Sequence, residues 1–417
     1  MNFEKNYKIL FTGGGTGGSV APLLAVAEEL NNPPNPLYQG GKNKTPSSSP
    51  LSGGEYEFLW LGTKFGPERE MVASASSPRP ELGTKAAQGA GIKFRAINGG
   101  KWRRYFSFKN LLDVVKIKLG FWQAFFIMLK WRPDLVISAG SFVSVPVIWA
   151  AWFLRAPILI HQQDAMPGLA NKLMAPLARA VTVTFEKSLA DYGKKAVWTG
   201  NPVRNQLKIT NYKLRIKNFK IQDGLPVLLV LGGGTGAMAI NKLVEESLSE
   251  LTKFCQIIHV TGKNKNSSVI LEPKAIESHG LELKQGDPIA SLALRSRMTN
   301  YFAFEFLDAE RIAGAFKLAD VVVTRAGLGF LTELSFLSKP AIIIPLPDSH
   351  QEANAEMFKE AAIVLEQKDL NAEKFVGEIK NLIGDKELQK ELGEKIGRVM
   401  KPGANEAMVK IILELLK

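Results

Sequence analysis

The chain has 417 residues, 46% of them hydrophobic, with 53 Lys and Arg against 40 Asp and Glu. That length suits two or three domains, and the composition excludes a chain disordered throughout. A single cysteine, Cys255, excludes an internal disulfide framework and a cysteine-based zinc site; it fits a reducing, cytoplasmic compartment and reads as a small core residue. Met1–Lys5 lacks the apolar run of a signal peptide, so export is not expected. The net charge of +13 is uneven, at +11 over residues 1–200 and +2 over residues 201–417. A basic first half calls for an anionic partner, and nucleic acid, an acidic membrane surface and a phosphorylated substrate all meet that description.

The first element is an apolar run, Tyr7–Phe11, that breaks into the glycine turn Gly13–Gly18. Ala21, Leu24, Ala25, Ala27 and Leu30 follow at helical spacing, so the opening reads strand, turn, helix. Residues 31–54, rich in Pro, Ser, Asn and Gly, read as a flexible surface insertion without chemistry, and 74–88 looks similar. Further strands are expected at Glu57–Leu61, Asp134–Ser138, Pro157–His161, Val181–Thr184, Gln256–Val260, Phe302–Phe306, Val321–Thr324 and Ala341–Pro345, alternating with helices as in parallel βαβ sheets. Leu135–Leu154 carries no charge over the length of a membrane span. Its Ser138, Gly140, Ser141, Ser144 and Pro146 favour a buried strand, a loop and an apolar helix instead. The stretch from Asn201-Pro202 to Gly224 reads as the linker between domains at 1–200 and 225–400. A last helix, Asn405–Lys417 within 401–417, is free to pack on either.

Pro226–Leu231 runs into Gly232-Gly-Gly-Thr-Gly236, repeating the opening device 219 residues after Gly13. The first turn matches G-x-G-x-x-G at Gly13, Gly15 and Gly18, a spacing that lets backbone N–H groups and a helix N-terminus approach a phosphate. A dinucleotide cofactor would need an acid at the end of the next strand; Phe58–Leu61 ends in Gly62-Thr63-Lys64, which disfavours NAD. Alone, such a turn serves tight strand-to-helix packing equally well. Two corresponding turns favour a diphosphate ligand. Lys101–Arg132 holds eight Lys and Arg, one acid (Asp113) and nine aromatics. That mixture suits a membrane interface, a nucleic acid or an amphipathic helix. Trp102, Arg103, Arg104, Tyr105, Phe106 and Phe108 are expected to be the exposed contact, with the later aromatics mostly core.

Gly14–Gly18, Asn201–Arg204, Gly233–Ala237, Arg325–Leu328 with Glu333, and His350-Gln351 with Asn354-Ala355 occur in the order seen in one family. The chain resembles, over nearly its whole length, the bacterial N-acetylglucosaminyltransferases that convert lipid I to lipid II in peptidoglycan synthesis. The resemblance implies the α/β GT-B fold, two Rossmann-like domains with parallel sheets facing a central cleft. It implies an acceptor, undecaprenyl-diphospho-MurNAc-pentapeptide, on the first domain and a donor, UDP-GlcNAc, on the second. It also implies a peripheral enzyme on the anionic cytoplasmic face of the inner membrane, with cell-wall synthesis proteins as possible partners and no nucleic acid. Donor contacts carried over are Thr16, Gly17, Gly18, Arg204, Gly234, Thr235, Gly236, Leu307, Arg325, Gly327, Leu328, Glu333, His350, Gln351 and Asn354. Acceptor contacts are Gly14, Gly15, Ser141, Phe142 and Ser144. No Asp-x-Asp pair for a metal is present, so no metal and no cofactor is expected; the second turn's amides, Thr235 and the helix N-terminus would stabilise the departing UDP.

Two departures concern the base that an inverting transfer needs near the acceptor 4-hydroxyl. The family's His after the first turn is Ser19 here, and its His-Glu-Gln-Asn reads His161-Gln162-Gln163-Asp164. Asp164 is therefore the candidate base or orienter, with helix capping ahead of Leu169–Leu177 as its bland alternative; His161 is the second candidate. His259 and His279 read as structural or exposed. The rival functions are a GT-B transferase with another glycolipid acceptor, a non-catalytic UDP-sugar or lipid I binding protein, and, weakest, a basic nucleic-acid module.

Overall fold

A computed structural model describes residues 6–15, 17–31, 56–76, 91–100, 108–208, 221, 224–232, 237–262 and 300–417, with backbone alone for 108–112. The chain divides into two compact units, Met1–Asn205 with Lys401–Lys417, and Gln206–Met400. The division between Asn205 and Gln206 lies within the 201–224 stretch.

The first unit comprises β1 (Tyr7–Thr12), α1 (Ala21–Asn31), β2 (Tyr56–Gly62), α2 (Glu68–Ser76), β3 (Lys93–Ala96), α3 (Phe108–Trp131), β4 (Leu135–Ser138), α4 (Ser144–Phe153), β5 (Ile158–Gln162), α5 (Leu169–Met174), β6 (Ala180–Val183), α6 (Leu189–Tyr192) and β7 (Ala196–Trp198). Its seven strands are parallel in the order β3-β2-β1-β4-β5-β6-β7. Strands covered on both faces read as unbroken apolar runs. Ile9, Phe11, Phe58, Trp60, Leu135 and Ile137 fill one core, and Leu10, Leu59, Leu61, Val136 and Ile160 fill another.

In the second unit α7 (Asn205–Lys208), β8 (Val227–Leu231), α8 (Met238–Leu251), β9 (Gln256–Val260), β10 (Tyr301–Phe304), α9 (Ala309–Leu318), β11 (Val321–Thr324), α10 (Leu328–Leu337), β12 (Ala341–Ile343), α11 (His350–Glu356), β13 (Ile363–Val364), α12 (Ala372–Gly384) and α13 (Lys386–Gly397) follow. The sheet is parallel in the order β10-β9-β8-β11-β12-β13. Ile240, Val244, Leu248 and Leu251 of α8, at intervals of three and four, pack with Leu228, Val230 and Cys255.

The final helix, α14 (Ala404–Leu416), belongs to the first unit. Met408, Val409, Ile412 and Leu416 pack with Val26, Ala27 and Leu30 of α1. The return is tight: Gly200 has φ +82, and a Cβ there would lie 2.5 Å from the Lys401 carbonyl.

The expected strands form within one or two residues of their bounds. Three were missed: β3 carries alternating charge (Lys93-Phe-Arg95), and β7 and β13 are three and two residues long, too short for a periodicity signal. Ser74–Ser76 finish α2 and do not belong to a loop. Leu135–Leu154 is β4, a turn and α4; among the described residues no helix is long and apolar enough to cross a membrane. The expectation that the later aromatics of Lys101–Arg132 are mostly core is corrected. Trp122 and Phe126 on α3 are 53% and 61% exposed, beside Trp149, Trp152 and Phe153 on α4. Helix α3 buries only a stripe led by Ala124 and Met128. Trp102, Arg103, Arg104, Tyr105, Phe106 and the Phe108 side chain lie outside the described residues, as do 32–54 and His279.

Candidate functional site

In the first unit the strand order reverses between β1 and β4, the position where α/β sheets bind ligands at their carboxyl ends. The loops leaving β1, β4 and β5 carry most of the residues expected on the acceptor side. After β1, the Trp60 indole N–H donates to Gly13 O (3.0 Å), the Ser19 hydroxyl to Gly14 O (3.4 Å) and the Gly15 N–H to Glu68 Oε2 (3.1 Å). Gly15 has φ +78, and a Cβ there would sit 2.8 Å from the Phe142 ring, so these two residues meet. Ser19 is 8% exposed and its hydroxyl closes the turn, which argues against a catalytic part. Thr16 lies outside the described residues; Gly17 and Gly18 lead into α1.

After β4, Gly140 and Ser141 both have positive φ, +91 and +87. For serine that conformation is strained and typical of functional turns. Ser141 Oγ is buried without a hydrogen-bond partner among the described residues. Ser144, by contrast, is fully buried and supports the loop from below: its hydroxyl donates to Gly140 O at 2.7 Å, and the Gly140 N–H donates to Ser138 Oγ at 3.1 Å. A direct acceptor contact by Ser144 is corrected to this supporting role.

After β5 the organising residue is Gln162, which the sequence reading treated only as a lost carboxylate. Its amide donates to the carbonyls of Asp164 (2.7 Å) and Met166 (3.1 Å). Its Oε1 accepts from Asn171 Nδ2 (2.5 Å) and the Tyr192 hydroxyl (2.8 Å). A glutamate would have no proton for the two carbonyls. The other end of Asn171 is presented to the β4 loop: Oδ1 is buried without a partner among the described residues, 3.1 Å from where a Gly140 Cβ would stand. Asp164 is half-buried in this loop. It does not cap α5, whose N-cap is Gly168.

His161 is corrected as a base candidate. It is 0% exposed, with Nδ1 3.0 Å from Thr182 Oγ1 and Nε2 2.9 Å from Asn201 Oδ1, and burial pushes its pKa down to about 4. Both nitrogens are engaged, and its work is to hold Asn201. His259 on β9 is built alike, between Tyr301 and Asn241, with its pKa pushed by burial to about 3.

In the second unit the described residues expected to contact the donor again lie near strand ends. Leu307, 5% exposed, precedes Asp308, which caps α9 by accepting from Glu310 N (3.0 Å) and Arg311 N (2.8 Å). Gly327 caps α10 and Leu328 begins it. Arg325, 6% exposed, donates to the carbonyls of Ile344 (3.1 Å) and Pro345 (3.0 Å) and to Gln367 (2.7 Å). It braces the loop after β12. Asn354 likewise is fully buried and donates to Ala326 O (3.1 Å), joining α11 to the turn that carries Gly327. Arg325 and Asn354 thus position neighbours, where sequence reading expected contact with the sugar nucleotide. Glu333, on the second turn of α10, is 3% exposed. His350 is exposed, and Gln351 is held by accepting from Leu346 N at 3.1 Å. Arg204 is half-buried in the first unit. Gly234, Thr235 and Gly236 lie outside the described residues. Among the described residues no group of three or more His, Cys, Asp or Glu side chains is placed to hold a metal.

Residues 79–183 match the N-terminal domain of glycosyltransferase family 28 and residues 227–406 its C-terminal domain, so the chain with these two parallel sheets belongs to that family. Within it, the chain belongs to the UDP-N-acetylglucosamine–N-acetylmuramyl-(pentapeptide) pyrophosphoryl-undecaprenol N-acetylglucosamine transferases. It is 34% identical over 382 residues to that enzyme of Clostridium kluyveri, covering 90% of this chain and 91% of the relative. It is 33% identical over 386 residues to that of Treponema denticola, covering 90% and 88%. The crystal structure of Acinetobacter baumannii MurG shares the fold, with a TM-score of 0.63 at 23% identity over 98% of this chain and 99% of that one. So does a UDP-GlcNAc 2-epimerase from Neisseria meningitidis solved with UDP-GlcNAc, with a TM-score of 0.61 at 15% identity over 98% and 100%.

Proposed function

We propose that this chain moves N-acetylglucosamine from UDP-GlcNAc to the 4-hydroxyl of MurNAc in undecaprenyl-diphospho-MurNAc-pentapeptide, making lipid II. The observation that carries this reading is identity of about a third over nine-tenths of the chain with transferases so named. The transfer is inverting and needs no metal: UDP leaves against the α8 N-terminus, a fixed positive potential where negative charge develops.

Asp164 is the proposed base or orienter of the acceptor hydroxyl. It is a half-buried carboxylate on the loop after β5, held in place through Gln162. The Gly140–Phe142 loop and Asn171 Oδ1 offer the acceptor neutral hydrogen-bonding groups.

The exposed aromatics of α3 and α4, with Lys116, Lys118, Lys130, Arg132 and Arg155 exposed around them, suit an anionic membrane surface in which rings enter the headgroup layer and cations meet phosphate. On this reading the enzyme works at the cytoplasmic membrane face, where its lipid acceptor lies.

The test is incubation of the purified protein with UDP-GlcNAc and a lipid I analogue in EDTA, following UDP release and the disaccharide product. Turnover is expected. UDP-GlcNAc binding without turnover on that acceptor would overturn the reading in favour of another acceptor or a binding protein.

A further inference from the structure

A cavity of about 770 Å³ lies in the first unit between the loop after β5, helix α5 and helix α6. That is within the size range of small-ligand sites, roughly 300–1,000 Å³. Ala175 and Val181 give it a buried apolar floor, and exposed Met166 an apolar lip. Three cations stand around it, Lys172, Lys187 and Lys195, against one acid, Asp191, and all four are exposed. Lys172 and Lys187 have no ion-pair partner among the described residues. Lys195 Nζ donates to Pro176 O at 2.8 Å and ties two walls together. Small apolar surface thus meets a positive rim, a combination that suits a carboxylate-bearing chain. The cavity also shares its support with Asp164. The Tyr192 hydroxyl on its wall donates to Gln162 Oε1 at 2.8 Å, and the Gln162 amide donates to the carbonyls of Asp164 (2.7 Å) and Met166 (3.1 Å). The lining begins at Ala165, the residue after Asp164.

We infer that this cavity receives the peptide of the acceptor, and that Lys172 and Lys187 are specificity-determining residues that bind the peptide's terminal carboxylate. The inference rests on the transferase reading. In N-acetylmuramic acid the peptide hangs from the lactyl ether at O3, on the ring carbon next to the one that bears the accepting 4-hydroxyl. A peptide so attached leaves the reacting centre beside the hydroxyl that Asp164 addresses, and the cavity starts where Asp164 ends. A terminal carboxylate arriving there meets two uncommitted ammonium groups and one opposing carboxylate, Asp191. Lysine serves this purpose well, because a compact charge on a flexible stem follows a chain end whose position varies with the peptide. Because both lysines are exposed, the attraction is moderate and weakens as salt is added.

The experiment compares two water-soluble, short-chain lipid I analogues, one with the free pentapeptide acid and one with its terminus amidated, assayed without vesicles. The unaltered protein is expected to show a KM for the amide about 10-fold above that for the acid, as two exposed ion pairs give, with kcat the same for both. In the double variant Lys172→Gln, Lys187→Gln the KM for the acid is expected to rise to that of the amide. The KM values for the amide and for UDP-GlcNAc are expected to stay where they were, and Lys172→Arg with Lys187→Arg to restore the preference for the acid. Equal KM values for acid and amide on the unaltered protein overturn the inference, and that arm needs no variant to fold. An equal rise for both acceptors in the Gln variant also overturns it, assigning the lysines to a lipid headgroup or to the acceptor diphosphate. Absence of turnover on both acceptors would instead count against the transferase reading, and the inference would fall with it, so the two failures are distinct.

Discussion

Asn405 on the last helix brackets the backbone of Val203: its Oδ1 accepts the Val203 N–H at 2.8 Å and its Nδ2 donates to the Val203 carbonyl at 2.9 Å. The same Nδ2 lies 3.3 Å from Glu29 on α1. One side chain, 2% exposed, thus ties the C-terminal helix, the first helix and the segment ending in Arg204. Asn405→Ala would leave a buried N–H and carbonyl unsatisfied, a cost of about 2 kcal/mol. A melting-temperature drop of several degrees, with a larger loss of turnover than of stability, is expected. Unchanged turnover would mean that Arg204 needs no such anchoring.

Asp164→Asn removes the proposed base and keeps its shape. Turnover is expected to fall at least ~100-fold, the lower range of general-base effects, with UDP-GlcNAc affinity unaffected. Full turnover would remove Asp164 from the mechanism.

Gln162→Glu puts a carboxylate in place of the amide, and it would face two carbonyls without a proton to offer. Loss of about 2 kcal/mol of stability and lower turnover are expected from a loosened 163–168 loop, read by thermal melting and steady-state rates. A rise in kcat would show instead that the loop tolerates an acid there and uses it.

His161 and His259 give each unit its own acid sensitivity. Their folded pKa values lie at about 4 and about 3, below the ordinary 6.5, because burial disfavours the charged form. The unfolded chain then binds more protons between those values, so stability is full above pH 6.5 and is lost as pH falls towards 4 and 3. At pH 5 each histidine costs on the order of 2 kcal/mol. Denaturant titrations at pH 7 and pH 5 check this: His259→Gln is expected to flatten the pH dependence of the second unit and leave that of the first intact. An unaltered slope in both would refute the assignment.

Trp122 and Phe126 stack at 6.0 Å, and Phe125 meets Phe153 at 5.8 Å across α3 and α4. Because Trp122 and Phe153 are more than half exposed, replacing both by serine is expected to leave the melting temperature within about 2 °C, as surface changes do. Sedimentation with anionic vesicles is expected to weaken at least ~10-fold, each ring contributing roughly 1.5–3 kcal/mol on burial in lipid. Undiminished sedimentation would move the membrane face elsewhere.

The sheets were legible because strands buried on both sides leave continuous apolar runs, and the first turn was legible because its backbone, with Gly15 at φ +78, requires glycine. What sequence did not disclose was direction. Arg325 and Asn354 carry polar groups suited to a ligand, but both point inward to backbone carbonyls, and a linear pattern holds no information on that. The roles of Glu68 and Gln162 depend on partners 53 and 9 residues away, so neither produces a local motif. The aromatics of α3 misled because their spacing fits a buried stripe, while the helix has only one sheet-facing side to bury.

Cys255 has a consequence for observing the enzyme at work. It is fully buried, its Sγ donates to Leu251 O at 3.2 Å, and desolvation lifts its pKa to about 12, so at neutral pH it offers thiol reagents no nucleophile. The natural chain is thus a blank background for probes. A cysteine introduced at exposed Lys93 in the first unit and another at exposed Lys359 in the second would take a fluorophore pair without competition, so that distance changes during turnover can be read in an otherwise unaltered protein.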